Sequence, residues 1–335
     1  VSLSDVQRML EGGPALWFDD SPRPDLPPRI GAVVATSGTT GSRRLVALGR
    51  DALVAAADAA HRVAGDLTWH LALPSHYVAG LMVQVRSLRA GRPVPDAGSD
   101  LAALTPTGDG DAISLVPTQL HRALGDPDLV RRLASLDLVL IGGAPLGPDL
   151  RSRAETAGIR VVESYGMSET CGGVVWDGAP LPGVAVDLDD GRILLGGPTL
   201  FDGYLDDHEA TAVTLVDGWL RTRDRGRWEQ GRLHVEGRID DVVISGGVNI
   251  DLAEVRRAVE AIDPQAAVVA VADPEWGQRV VVAGATGDLA WWRERLAERL
   301  PRPWLPRQHL ALPVPRTDGG KPDRAALEHL AASPQ

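Results

Sequence analysis

A chain of 335 residues is long enough for a large core and for two domains, on the usual scale of roughly 100 to 200 residues per domain. With 44% hydrophobic and 24% charged residues its composition is that of an ordinary globular protein, and no apolar run approaches the ~20 residues of a membrane span. The formal charge of −11 argues against nucleic acid as a partner, which would require a basic face.

No charged segment followed by an apolar core opens the chain, so no secretion signal is read. The single cysteine, Cys171, suits a reducing compartment, and the expected location is the cytoplasm. Glycine and proline together stay under a fifth of the residues, below the ~25–30% that suggests disorder, and no internal repeat is found.

From residue 30 to about 165, short β-rich runs alternate with helical stretches: IGAVVAT, RDALVAAADAAHRV, WHLAL, AGLMVQVRSLR, DAISLVP, LDLVLI, PDLRSRAETAG and IRVVES. This alternation predicts an α/β domain with crossover connections and a largely parallel sheet. Pro148 in the first turn and Gly158 past the end bracket one of the helices.

Directly after the first apolar run stand Thr36, Ser37, Gly38, Thr39, Thr40, Gly41 and Ser42, then Arg43 and Arg44. Two glycines among hydroxyls can wrap an anion, or can make a polar turn with no ligand. The spacing of the P-loop nucleotide triphosphatases is absent. A second glycine-rich loop, SYGMSETCGG, follows the strand-like RVVE and carries Glu169, which can hold a magnesium ion or stand solvated.

Between about 183 and 237 the pattern changes to short alternating runs with Asp190-Gly191 and Gln230-Gly231 at their turns, which predicts a β-meander. In RTRDRGRW, Asp224 is expected in a tight turn, where it can accept both hydroxyls of a ribose or serve the turn itself. GRIDDVVISGGVNI then frames a connection between domains. A helix follows with Asp251 as N-cap, Glu254 three residues on, and Leu252, Val255 and Val259 on one face. The strand-like AAVVAVA and RVVVAGA, the helical WWRERLAERL and a proline-rich segment complete a small α+β unit. Its closing PRTDGGKPDR lifts Lys321 on a Gly-Gly turn.

Taken in order, TSGTTG, YGMSE, GPTLFDGYL, TRDRG, GRIDDVVISGGVNI and PRTDGGKPDR resemble the motifs of the adenylate-forming acyl- and aryl-CoA ligases, across residues from about 30 to 325. Within that family the resemblance is closest to the ligases of o-succinylbenzoate in menaquinone biosynthesis, particularly their short actinobacterial type. ALPSHYVAGLMVQVRSLRAG, SLVPTQL, VLIGGAPL, YGMSETCGGVVWDGAPLPGV and GRILLGGPTL carry it. The fold implied is a large N-terminal α/β domain with a β-meander, residues 1–239, and a small mobile α+β domain, residues 240–335, hinged at Asp240.

The chemistry implied is attack of an aryl acid on the α-phosphate of ATP, release of pyrophosphate, and displacement of AMP from the acyl-adenylate by the thiol of CoA, with Mg2+ assisting. By resemblance, Thr36, Ser37, Gly38, Thr39, Thr40, Gly41 and Ser168 would hold phosphates and Glu169 the metal. Gly143, Tyr165, Asp224 and Arg238 would bind the adenosine, and Lys321 would bridge the attacking carboxylate and the α-phosphate. His76, Arg86, Ser114, Gly142 and Gly172 would line the acid pocket, and Gly246 and Gly247 the channel for CoA. Arg86 either pairs with the carboxylate that is not activated or is a surface residue of an amphipathic helix; His76 gates or packs.

Two features depart from the family pattern. Ser42, Arg43 and Arg44 stand where the phosphate loop usually continues into Pro-Lys. Only about 35 residues precede that loop, and a homo-oligomer would cover the surface that a shortened N-terminal subdomain leaves bare. The competing readings are a CoA ligase for another aryl acid, an enzyme that loads a carrier-protein thiol, and a non-catalytic nucleotide-binding module.

Overall fold

The computed structural model describes residues 2–36, 44–317 and 320–332. The chain divides into two compact units, Val1–Thr222 with Trp228–His234, and Arg223–Arg227 with Val235–Gln335. Among the described residues no helix is long and apolar enough to cross a membrane.

The first unit opens with α1 (Leu3–Leu10), whose first turn is closed by Ser2 and Asp5 in a reciprocal capping box. Then come β1 (Leu16–Phe18), β2 (Ile30–Thr36) and β3 (Arg44–Gly49). β2 and β3 pair antiparallel, with Thr36 opposite Arg44 and Val34 opposite Val46. The expected strand-to-helix step is therefore a hairpin, and the sheet that holds it is mixed rather than parallel. The run RLVALG has no clean period of two because its last four residues are all buried, and such a run is hard to recognise as a strand from sequence.

After α2 (Arg50–Ala64) the chain settles into the expected crossover pattern. β4 (Thr68–His70), α3 (Val78–Arg89), β5 (Asp111–Leu115), α4 (Pro117–Ala123), α5 (Pro127–Ala134), β6 (Leu138–Ile141), α6 (Pro148–Thr156) and β7 (Val161–Met167) follow in order. β4 to β7 lie side by side and parallel in sequence order, and β8 (Gly172–Trp176) and β9 (Ala179–Pro180) extend the sheet antiparallel.

Helix α3 is buried from Gly80 through Ser87, all round its circumference. Leu81, Met82 and Val85 join a core shared with Val34, Val46, Leu48 and Leu53, whereas Val83 joins a second core with Trp69, Leu138, Leu140 and Trp176. A helix enclosed on all sides carries whatever charge it bears into the interior.

The meander comprises β10 (Ala185–Asp189), β11 (Arg192–Gly196), β12 (Gly203–Tyr204), α7 (His208–Thr214), β13 (Leu215–Val216), β14 (Trp219–Glu229) and β15 (Arg232–Arg238). β12 leaves it to pair with β3, while β10, β11, β14 and β13 form one sheet with β15 beside β14. Both predicted turns have positive φ at their two central residues, 48° and 78° at Asp190-Gly191 and 52° and 76° at Gln230-Gly231, as two-residue hairpins of this hand require.

The second unit contains β16 (Val242–Ser245), β17 (Val248–Asp251), α8 (Leu252–Glu260), β18 (Ala267–Asp273), β19 (Gly277–Ala283), α9 (Leu289–Leu296), β20 (Gln308–Leu310) and α10 (Arg324–Ala332). Its sheet runs β17-β16-β19-β18, with β20 parallel to β19. Asp251 caps α8 through the Ala253 and Glu254 amides, and Val255, Val259, Trp292 and Leu296 fill one face of the sheet. Leu310, Leu327 and Ala331 fill the other.

Candidate active site

The carboxyl ends of β5, β6 and β7 bring several of the expected residues to one edge of the parallel sheet, where open α/β sheets place ligands. Ser114 lies near the end of β5, buried, with no hydrogen-bond partner for its hydroxyl among the described residues. Gly142 and Gly143 follow β6, and Gly143 has φ 81°. Tyr165 stands on β7 opposite Val175, and Met167 at its end pairs with Gly172, φ 96°.

Glycine is required in this corner. A Cβ at Gly166 would lie 2.1 Å from the Gly172 carbonyl oxygen, so β7 and β8 could not approach as they do. Gly166 belongs to the quoted YGMSE run, but sequence reasoning assigned it no role.

Ser168, Glu169 and Thr170 form one tight helical turn between β7 and β8. The Thr170 hydroxyl accepts from the Met167 amide at 2.9 Å and donates to the Gly172 carbonyl at 2.7 Å, which fixes the turn. The Glu169 carbonyl accepts from the Phe201 amide at 2.9 Å, and its carboxylate oxygen Oε1 accepts from the Tyr204 hydroxyl at 2.8 Å. Burial, reinforced by the Glu169 charge, pushes the Tyr204 phenol well above its ordinary range, so it stays a donor. Tyr204 is the functional neighbour that sequence reasoning missed. Its signal was the quoted GPTLFDGYL, but a pairing 35 residues apart with Glu169 has no local signature.

Glu169 is a single carboxylate: among the described residues no group of three or more His, Cys, Asp and Glu side chains could hold a metal ion. One fixed carboxylate is a fitting donor for a magnesium ion that keeps water and phosphate oxygens as its other ligands. Cys171, two residues on, is buried with φ 55°, and burial pushes its thiol far above the ordinary range, which suits packing and not nucleophilic chemistry.

Ser37, Gly38, Thr39, Thr40 and Gly41, with Ser42 and Arg43, lie outside the described residues. The hairpin fixes where that loop leaves and returns, because Thr36 and Arg44 are paired neighbours. Arg44, in place of the usual lysine, has its guanidinium 5.1 Å above the Tyr204 ring and its Nε 3.8 Å from Asp207. The strand after the loop is thus joined to the side chain that holds Glu169.

His76 is exposed in the turn before α3, its ring 4.4 Å from that of Tyr77. Arg86 is not on a solvated helix face: it is 3% exposed. Its guanidinium carbon lies 4.8 Å from the Trp69 ring and 6.0 Å from the Trp176 ring, and among the described residues its Nε has no hydrogen-bond partner. Burial lowers the group to about 10, so it is still a cation at neutral pH. An unpaired buried ion costs several kcal/mol. Two ring faces return about 1–2 kcal/mol each at best, which leaves the charge short of a counter-ion.

In the second unit, Asp224 and Arg238 sit on the paired strands β14 and β15, with Arg238 Nη1 3.9 Å from Asp224 Oδ1. Asp224 was expected in a tight turn, but β14 runs unbroken through it from Trp219 to Glu229. The Arg-Asp-Arg-Gly sequence looks like a turn, and the long pairing with β15 overrides that local preference. Gly246 and Gly247, φ 58° and 77°, are the two-residue turn between β16 and β17. A Cβ on Gly246 would meet the Trp276 ring at 2.7 Å.

Asp240 lies in a short helical turn, Ile239–Asp241. Asp241 beside it is 3% exposed and accepts from Arg256 Nη1 on α8 and Arg324 Nη1 on α10, both at 3.1 Å. Burial alone would raise its carboxyl; Arg256 and then Arg324 outweigh burial and hold it below the usual range. Three residues before Arg324, the Lys321 side chain is exposed, and its carbonyl accepts from the Thr317 amide at 2.8 Å to close the turn that carries it.

Residues 11–205 match the family of AMP-binding enzymes. The chain belongs to that family. Among curated relatives of this AMP-binding enzyme, a probable 2-succinylbenzoate-CoA ligase of Mycobacterium tuberculosis is 42% identical over 322 residues, covering 89% of this chain and 84% of the relative. A 2-succinylbenzoate-CoA ligase of Salmonella typhimurium is 33% identical, covering 90% of this chain and 69% of its own.

Two solved AMP-binding structures share its fold. o-Succinylbenzoate CoA synthetase from Bacillus subtilis, in complex with the acyl-adenylate intermediate OSB-AMP, superimposes with a TM-score of 0.76 at 26% identity, covering 89% of this chain and 69% of that one. ATP-bound MatB from Rhodopseudomonas palustris gives 0.77 at 27% identity, covering 90% and 68%.

Proposed function

We propose that this enzyme joins o-succinylbenzoate to CoA at the expense of ATP, through an acyl-adenylate, with release of pyrophosphate and AMP. The observation that carries the reading is the 42% identity to the Mycobacterium tuberculosis ligase across most of both chains. The site chemistry of the first unit supports it: a fixed carboxylate, and a buried cation with no acid partner among the described residues, suit adenylation of a diacid.

A carboxylate is a poor electrophile, so it must first be activated. One oxygen of the acid attacks the α-phosphorus of ATP in line with the departing pyrophosphate. Two anions approach each other in that step, so positioning and charge stabilisation supply most of the rate. Lys321 would donate to both the attacking carboxylate and an α-phosphate oxygen. The loop from Thr36 to Gly41 and the Ser168 hydroxyl would hold the phosphates by donated hydrogen bonds. Glu169, kept in place by Tyr204, would hold magnesium, which supplies charge neutralisation on the phosphate oxygens when bound.

Asp224 and Arg238 would bind the ribose, with Gly143 and Tyr165 beside the adenine. His76, Ser114, Gly142 and Gly172 would line the acid pocket, with Arg86 opposite the carboxylate that does not react. The thiol of CoA then attacks the acyl carbon past Gly246 and Gly247, and AMP departs with the bonding electrons. Rotation at Asp240 would exchange the Lys321 loop for the turn that carries those glycines.

The test is pyrophosphate release from ATP and Mg2+ with o-succinylbenzoate, followed by mass spectrometry of the products with and without CoA. An adenylate without CoA and o-succinylbenzoyl-CoA with it is the expected result. A different preferred acid within an aryl panel would move the reading to another CoA ligase. Acyl transfer only to a carrier-protein thiol would move it to a carrier-loading enzyme, and ATP binding with no adenylate from any acid to a non-catalytic module.

A further inference from the structure

Arg86 is a cation buried in the core of the first unit and charged at neutral pH, and among the described residues no acidic residue is paired to it. Trp69 on β4 and Trp176 at the end of β8 are 1% and 5% exposed and offer their rings to the guanidinium from two strands of the same sheet. Ala112, opposite Trp69 on β5, is small and buried in the same cluster. Among the described residues the ring nitrogens of both tryptophans and the Nε of Arg86 are buried donors without acceptors. Buried donors without partners beside a cation suit an anion.

We propose that Trp69 and Trp176 are positioning residues for Arg86, which hold its guanidinium charged and fixed in a dry site so that an acid bearing a second carboxylate is selected over one that lacks it. The proposal rests on the reading of Arg86 as the partner of the unreactive carboxylate. The rings act through the arginine: they restrict its rotamers and supply π faces that favour the charged form over an apolar wall. The anion that completes the site is an aryl carboxylate of the substrate itself.

Selectivity decides it. Pyrophosphate release is measured with o-succinylbenzoate and with the two mono-acid analogues that each lack one of its carboxylates, using competitive inhibition constants where a mono-acid turns over too slowly. Arg86→Met should cut the preference for the diacid by about 100-fold, the scale for truncating one partner of a buried charge pair. Trp69→Leu and Trp176→Leu, which keep apolar bulk and remove the π face, should each raise the diacid KM by about tenfold with kcat held, and so erode the same preference. Trp69→Phe and Trp176→Phe should recover part of it, and they carry the test if a leucine variant does not fold.

If the tryptophan variants lose diacid and mono-acid alike while Arg86→Met still loses selectivity, the rings only pack and the proposal falls with the Arg86 reading intact. If Arg86→Met loses both acids alike, the reading of Arg86 fails and the proposal falls with it.

Discussion

Arg86 in the first unit and Asp241 in the second are each 3% exposed, and their surroundings treat them in opposite ways. Asp241 is met by two guanidinium groups from two helices, so its charge is balanced within the fold. Among the described residues Arg86 is met by two tryptophan rings and no carboxylate. A buried charge with its partners present binds the fold together, whereas one without them is what the proposed diacid selectivity requires; burial alone does not distinguish the two.

The largest effect expected is at Lys321, the proposed partner of the α-phosphate. Lys321→Ala should slow adenylation by about 10²–10³-fold and slow transfer from a preformed adenylate to CoA far less, since only the first step gathers charge at the α-phosphate. Single-turnover measurements of each half-reaction read this directly, and equal loss in both would remove Lys321 from its assigned role.

The comparison itself is sharpened by stability. Asp241→Asn leaves Arg256 and Arg324 facing a neutral group and should cost about 2–4 kcal/mol in denaturant unfolding of the full chain, discounted because both arginines keep some access to water. Arg86→Met removes a charge that nothing balances and should be neutral or stabilising by the same measurement. Similar losses from both variants would break the contrast.

pH separates them further. The Asp241 carboxyl is depressed in the folded state, so its contribution is complete above the unfolded-state value of about 3.9 and is lost as pH falls through the lower folded-state value. The denaturation midpoint of the native chain should therefore fall more steeply than that of Asp241→Asn below about pH 4. Parallel curves would mean that the two arginines do not hold the carboxyl down.

The smallest effect is at Tyr204. Tyr204→Phe removes one hydrogen bond to Glu169 and should raise the Mg2+ concentration for half-maximal pyrophosphate release by about fivefold, with little change in the KM for the acid. An unchanged Mg2+ requirement would show that the Glu169 turn is held by Thr170 and Phe201 alone.

Much of this was legible in the sequence because the signals are local. The alternation from Trp69 to Met167 gave the parallel strands, and the glycine pairs gave both meander turns, since periodicity and positive φ are written within a few residues. The β2–β3 hairpin was not legible, because a buried apolar run looks alike in several settings. Asp224 looked like a turn residue until pairing with β15 drew it into a strand.

The sequence by itself determined the α/β class, the order of the family motifs and the residue types available for phosphate, metal and acid. Only the tertiary structure decided which of them meet. Tyr204 reaches Glu169, Arg324 reaches Asp241 and two tryptophans enclose Arg86 across separations of 35, 83, 17 and 90 residues. Such contacts have no period and no local propensity; they exist because the sheets and the enclosed helix α3 bring distant positions within a few ångströms, where a buried polar group must replace the partner that burial denies it in water.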